Sequence, residues 1–295
     1  MRRIVFFLLT NFAVMIVLGI VMAVLTELGI LPRLGGSGEY VPLFIFSLLW
    51  GFGGSLISLF LSKGMAKRAV GARVIERPSN PTEAWLLETV GRQAQQAGIQ
   101  MPEVAIYDAP EMNAFATGAS KNKSLVAVST GLLRQMQQDE VEAVLAHEVM
   151  HAANGDMVTM ALLQGVLNAF VIFASRVLGG IVDSALRGSD RRGGHGFGYW
   201  IVVMVLEVVF GILATMIAMW FSRKREFRAD AGAAQISGPD KMIRALQRLK
   251  GSSESTMPES VKAFGILGNV RSLLASHPPL EARIAALESI PKRFN

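Results

Sequence analysis

The sequence predicts a multi-pass α-helical membrane protein that carries a mixed α+β soluble domain, and three observations predict it. Four apolar windows, Ile4–Leu25, Val41–Leu61, Met157–Leu178 and Tyr199–Phe221, are each long enough to cross a bilayer core of about 30 Å, which takes roughly 20 helical residues. The chain is 51% hydrophobic and 18% charged, well below the roughly 25% charged residues of an average soluble domain. The remaining stretches, 65–156 and 223–295, are polar. Together they are long enough for one medium-sized domain with a core of its own.

The formal charge of +6 does not mark a nucleic-acid binder, because the basic residues flank the spans. Arg2 and Arg3 precede the first span. Lys63, Lys67, Arg68 and Arg73 follow the second, and Arg223, Lys224, Arg225 and Arg228 follow the fourth. This positive-inside pattern places both termini and the soluble part in the cytoplasm. The loop at 26–40 has only Arg33 against Glu27 and Glu39, as an outer loop should. The loop at 179–198 is more mixed, with Arg187, Arg191 and Arg192 against Asp183 and Asp190. The first apolar run exceeds the roughly 7–15 residues of a signal-peptide core and lacks a convincing cleavage site, so it reads as a retained anchor. The chain has no cysteine, which excludes disulfides and cysteine-ligated zinc.

Four segments follow from this pattern: a transmembrane hairpin at 1–64, the first part of the soluble domain at 65–156, a second hairpin at 157–222 and the rest of the domain at 223–295. No repeat is visible. Lys63–Ala72 reads as a basic helical exit, broken at Pro78, Asn80 and Pro81. Thr82–Gly98 has helical periodicity, with Trp85, Leu86, Val90 and Ala94 on its apolar side. Glu103–Tyr107, Asn113–Gly118 and Leu125–Ser129 read as strands. Glu140–Ala153 is a helix stopped by Asn154-Gly155. Nothing breaks the fourth span before Gly238-Pro239, so it continues as a helix into the soluble part. Asp240–Leu249 is a further helix, 251–275 holds a serine-rich and poorly structured stretch, and Pro278–Leu287 ends in a short helix.

The chemistry lies in His147-Glu148-Val149-Met150-His151. Histidines four apart share one helix face and can close on a single metal ion, with the glutamate between them as general base. A third ligand must come from elsewhere. Glu226 is the best candidate, with Asp230 one turn on as the acceptor that fixes a ligand histidine's tautomer. The hairpin topology puts Asp156 and Ser222 at one membrane face, which brings His151 and Glu226 to the same side. Of the other two histidines, His195 sits in a glycine-rich outer loop and His277 is cytoplasmic. Within the spans, Glu207 calls for a polar partner among Gln164, Asn168 and Arg176. Such a contact would join the two helices, the alternative being a substrate or ion path. Gly51, Gly53 and Gly54 read as close helix packing.

The histidine motif, Glu226–Asp230 after a membrane hairpin, Asn113-Ala114-Phe115-Ala116-Thr117-Gly118 and the His277-Pro278-Pro279 tail with Arg283-Ile284 together resemble the HtpX-type membrane zinc metalloproteases. These are relatives of the CaaX prenyl proteases, and the resemblance covers essentially the whole chain. It implies a zincin-like (gluzincin) metalloprotease domain and one Zn²⁺ per chain. It implies His147, His151 and Glu226 as ligands, Glu148 as catalytic base and Asp230 as the acid behind a ligand. Asn113, Ala114, Phe115 and Ala116 match the edge strand that pairs with extended substrate, which suits β-augmentation; an ordinary internal strand is the alternative. His277 and Arg283 match transition-state contacts, and a cap and a structural ion pair explain them equally well. The resemblance also implies a bacterial inner (cytoplasmic) membrane and a stress-response role in clearing misfolded or damaged membrane proteins, with some soluble substrates. It leaves homo-oligomers or other membrane proteases open as partners.

Three other functions compete. An intramembrane protease would carry its histidine motif inside a span, whereas Gln135–Glu142 just upstream is strongly polar. A non-catalytic zinc-binding scaffold would have no need of Glu148. A CaaX-type processing enzyme stays open as an alternative, although four spans give no large intramembrane chamber.

Overall fold

Long apolar runs with no proline beyond the first turn favour unbroken helices, and three such helices dominate the computed structural model, which describes residues 40–187, 197–256 and 277–289. The predicted first span and His195 lie outside the described residues. In chain order the elements are α1 (Tyr40–Val70), β1 (Arg73–Val74), α2 (Pro81–Ala97), β2 (Glu103–Tyr107), β3 (Ala114–Gly118) and β4 (Ser124–Ser129). They continue with α3 (Thr130–Gln135), α4 (Gln138–Asn154), α5 (Asp156–Arg187), α6 (Phe197–Ser237), α7 (Pro239–Thr256) and α8 (Leu280–Glu288). The described residues divide into two units, those within 1–57 and 161–218 and those within 58–160 and 219–295.

In the first unit, α1, α5 and α6 are long and apolar enough to cross a membrane. Large apolar side chains such as Leu49, Trp50 and Val208 stand 60% or more exposed. That many exposed apolar groups suit a lipid surround rather than water. Packing between α1 and α5 depends on small residues. A Cβ on Gly51 would come within 2.5 Å of the Ala169 backbone nitrogen and 2.8 Å of the Gly165 carbonyl, so glycine lets the two backbones approach. Gly53 and Gly54 meet nothing within contact range, so close packing at this point rests on Gly51. Glu207 finds its partner in Arg176, whose Nη1 donates to Oε1 at 2.8 Å. Of the three partners the sequence offers, the structure selects the one that neutralises the charge.

The second unit holds a four-stranded sheet in the order β1-β2-β4-β3. The β2–β4 pair is parallel and the other two pairs are antiparallel. All six residues of β4 are buried, as expected of a strand covered on both faces. Val104, Val126 and Val128 point to one face, where they join Leu86 and Val90 of α2, Val141, Leu145 and Val149 of α4, Met242 and Leu246 of α7 and Leu287 of α8. Ala105, Tyr107, Leu125 and Ala127 form the opposite face, with Val70, Val74 and Phe115 packed against them. β3 pairs only with β4 and is therefore an edge strand among the described residues.

Local chemistry sets the helix ends. Asn80 caps α2 by accepting from the Glu83 backbone N–H at 2.9 Å, and Gly98 closes the helix in the left-handed region. Gly155, at φ 69°, ends α4 in the same way, and Asp156 immediately starts α5. The predicted continuation of the fourth span holds, since α6 runs unbroken to Ser237. The prediction of a poorly structured stretch from 251 is corrected at its start, because α7 remains helical to Thr256; residues 257–276 lie outside the described residues. β1 and α3 have no counterpart in the sequence pattern, being too short to show a period.

Candidate metal centre

α4 presents His147 and His151 one turn apart, and α6 presents Glu226 and Asp230 one turn apart. Gly232 helps these helices meet: a Cβ there would run into the Met150 side chain. The side chains of His147, Glu226 and Asp230 are almost fully buried, and His151 is nearly so.

Three donor groups converge. His147 Nε2 and His151 Nε2 are 3.0 Å apart. Glu226 Oε1 lies 3.2 Å from His151 Nε2, and its Oε2 lies 3.6 Å from His147 Nε2. Donors around a tetrahedral zinc with bonds of about 2.0–2.1 Å are separated by roughly 3.3 Å, so this triangle has the right size. The outer ring nitrogens explain the tautomers. His147 Nδ1 is 2.9 Å from Asp230 Oδ1, and His151 Nδ1 is 2.6 Å from Asp156 Oδ2. With each Nδ1–H donating to a carboxylate, both Nε2 atoms present lone pairs to one point. Two lone pairs and a carboxylate facing one another require a cation or a proton between them, and the group forms a metal-binding set. The residues fit a metal ion.

Further groups close the site from the C-terminal segment. Arg283, itself buried, donates Nε to Asp230 Oδ2 at 2.7 Å and Nη2 to Oδ1 at 2.6 Å. Its Nη1 is 3.4 Å from Glu226 Oε2. His277 Nδ1 is 2.7 Å from Glu226 Oε2, and its side chain is 62% exposed. Glu148 is half-buried, and its charge favours protonation of both motif histidines. The six residues His147, His151, Glu226, Asp230, His277 and Arg283 therefore meet in space. Sequence reasoning missed Asp156, which it used only as a membrane marker. The available signal was an acid five residues beyond His151, just past the glycine stop.

Electrostatics follow from this crowding. Burial alone would lower the His151 pKa, but its bonds to Asp156 and Glu226 outweigh that and push it up to about 10. Burial would raise the Glu226 pKa, yet bonds from three histidines hold its carboxyl well below the usual carboxylate range. Without a metal, a proton on His151 thus fills the gap. Because the folded pKa exceeds the ordinary 6.5, the stability from protonated His151 is complete below pH about 6.5 and is lost as pH rises through about 10. Melting temperatures of the chelator-treated protein should fall across that window, and fall less in His151→Ala. A flat series would refute the assignment.

Ala114, Phe115 and Ala116 lie in β3, at the edge of the sheet among the described residues, and Asn113 immediately precedes the strand. β3 packs against α4, and Ala114 and Ala116 face the core cluster. Ser129 secures the entry to the strand: its Oγ donates to the Glu111 carbonyl at 2.6 Å and accepts from the Asn113 N–H at 3.1 Å.

The profile of peptidase family M48 matches residues 80–291, which include every residue of this centre. The chain belongs to peptidase family M48. Within that family it is of the HtpX type. Protease HtpX of Xanthomonas campestris pv. campestris (strain B100) is 62% identical over 293 residues, covering 98% of this chain and 97% of that protein. Protease HtpX of Xanthomonas axonopodis pv. citri (strain 306) is 61% identical over the same length. The crystal structure of S. mikatae Ste24p superposes with a TM-score of 0.62 at 19% identity, over 96% of this chain and 67% of that one; this likeness concerns the fold alone. The M48 chain is a membrane metalloprotease, built as membrane helices plus an α+β protease domain. It acts on proteins and associates with a membrane, and it uses a metal ion.

Proposed function

We propose that this M48 protease is a zinc endopeptidase of the bacterial inner membrane, working at the cytoplasmic surface on misfolded or damaged membrane proteins during stress. The observation that carries the reading is the donor triangle of His147, His151 and Glu226, with each histidine's second nitrogen held by a buried carboxylate. Two histidines, one carboxylate and no cysteine suit a catalytic zinc with one position left open. The proposed organisation has hairpins at 1–64 and 157–222, with the protease domain shared between 65–156 and 223–295. The basic residues after the second and fourth spans support the cytoplasmic orientation.

In this mechanism the three ligands hold the ion, which when bound lowers the pKa of a water toward about 7 and polarises the scissile carbonyl. Glu148 takes the proton of the attacking water and passes it to the leaving amine. Asp230 and Asp156 keep both imidazoles in the ligating tautomer, and Arg283 holds Asp230 in place. On this reading His277, exposed beside Glu226, donates toward the developing oxyanion. The edge of β3, unpaired among the described residues, takes an extended substrate segment by main-chain hydrogen bonds, with Ala114, Phe115 and Ala116 along it and Asn113 at its start.

The test is purification of the full chain in detergent without chelators, followed by zinc analysis and casein cleavage. One zinc per chain is expected, with cleavage abolished by chelation and restored by zinc. Undiminished cleavage by the metal-free protein, or no bound zinc, would overturn the proposal. Because the chain lacks cysteine, Ser289→Cys offers a single label site. Reaction with an impermeant maleimide from the periplasmic side would overturn the orientation.

A further inference from the structure

Arg225 belongs to the basic group that the sequence assigns to the membrane flank, yet its side chain turns the other way. Its Nη1 donates to the main-chain carbonyl of Asp156 at 3.0 Å, and its Nη2 donates to Ser222 Oγ at 3.1 Å. Lys224 and Arg228, by contrast, are exposed. Ser222, Glu226 and Ala229 are buried on the side of α6 that Arg225 shares at helical spacing. Asp156 is 2% exposed and is held twice: its carboxylate accepts from His151 Nδ1, and its carbonyl accepts from Arg225. It also stands just past Gly155, where α4 ends and the chain changes direction. The side chain that orients His151 therefore hangs on a turn, and Arg225 ties that turn to the residue before Glu226.

We propose that Arg225 is a positioning residue for the metal centre, which sets the spacing between His151 and Glu226 by fixing Asp156. The inference rests on the zinc reading above. A guanidinium suits the role because its planar fork reaches a carbonyl and a hydroxyl at once, whereas a lysine offers a single point of charge. A charged donor on a neutral carbonyl also makes a stronger hold than a neutral pair.

The experiment measures zinc affinity of the full-length protein by competition with a chelator of known affinity, alongside melting of the chelated protein. Wild type, Arg225→Met, Arg225→Lys, Asp156→Ala and the Arg225→Met/Asp156→Ala double variant are compared. Asp156→Ala should bind zinc about 10- to 100-fold more weakly, the usual cost of losing an outer partner of a metal ligand, and Arg225→Met, acting through Asp156, should lose severalfold and no more than that. Arg225→Lys should fall between it and wild type, with the melting of its chelated form unchanged. In the Asp156→Ala background, where the link to His151 is already cut, Arg225→Met should cost less than about threefold more. Wild-type affinity in Arg225→Met, or the same full loss in the Asp156→Ala background, would overturn the inference. If Arg225→Met does not fold, wild-type affinity in Arg225→Lys overturns it and a severalfold loss supports it. A wild-type protein that binds no zinc would sink the zinc reading and this inference together. Zinc binding by wild type with no loss in either Arg225 variant would sink this inference alone.

Discussion

Glu148→Gln is expected to keep the bound metal ion and lose proteolysis by at least about 10³-fold. Glu148 lies outside the donor triangle, so an amide of the same shape leaves His147, His151 and Glu226 undisturbed. What it removes, on the proposed mechanism, is the proton acceptor. One positioned acid–base group is worth about 10²–10⁴-fold, and the mechanism uses this carboxylate twice, once to accept a proton and once to deliver it. Metal content and casein cleavage, measured on the same preparation, decide the matter. Activity within tenfold of wild type would remove Glu148 from the mechanism, and loss of zinc together with activity would make it a metal-holding residue instead.

Asp230→Ala is expected to cost up to about 3–5 kcal/mol of stability, because it strips the buried Arg283 guanidinium of both its hydrogen bonds to Asp230 and leaves it only Glu226 at 3.4 Å. Both side chains are over nine-tenths buried and joined by two hydrogen bonds. A loss of this size is a large part of the roughly 5–15 kcal/mol that holds a typical domain together. The same substitution takes the acceptor from His147 Nδ1, so zinc affinity should fall about 10- to 100-fold. The double variant Asp230→Ala/Arg283→Met separates the two effects. Removing the stranded charge should recover much of the melting temperature while zinc affinity stays low. If affinity recovers as well, Asp230 serves only the ion pair. If neither single nor double variant changes the melting temperature, the pair contributes no stability. Arg283→Met alone distinguishes the two roles its position allows: an ion-pair anchor changes stability first, whereas an oxyanion contact changes turnover first.

The parts of the centre that were legible in the sequence share a reason. His147 with His151, and Glu226 with Asp230, are pairs on single helices, and a spacing of four survives any change in tertiary arrangement. The meeting of His151 with Glu226 was legible from the hairpin, which constrains topology without any knowledge of packing. Asp156 was not, because its contact with His151 crosses the break at Gly155, where helical periodicity stops and the backbone angle decides. The contacts of Arg225 with Asp156 and Ser222 were not legible either, because positive-inside reasoning counts charges without asking which side of the helix they occupy. The edge position of β3 was open in the sequence, since strand order depends on β4 inserting between β2 and β3. A two-residue strand such as β1 has no pattern to read.

Sheets normally guard their edges with lysine, proline or a bulge, to keep other chains from adding on. β3 reads Ala-Phe-Ala-Thr-Gly and carries no charge and no proline. An unguarded edge of this kind makes few demands on sequence, because a main chain offers the same amides and carbonyls whatever its side chains. It does demand that those groups be vacant. Most segments still folded have already committed them to their own helix or sheet, and a chain that has lost its structure offers them far more freely. On the proposed reading, the discrimination between sound and damaged substrates is then made by the substrate's own folding equilibrium, and the strand merely collects what that equilibrium releases.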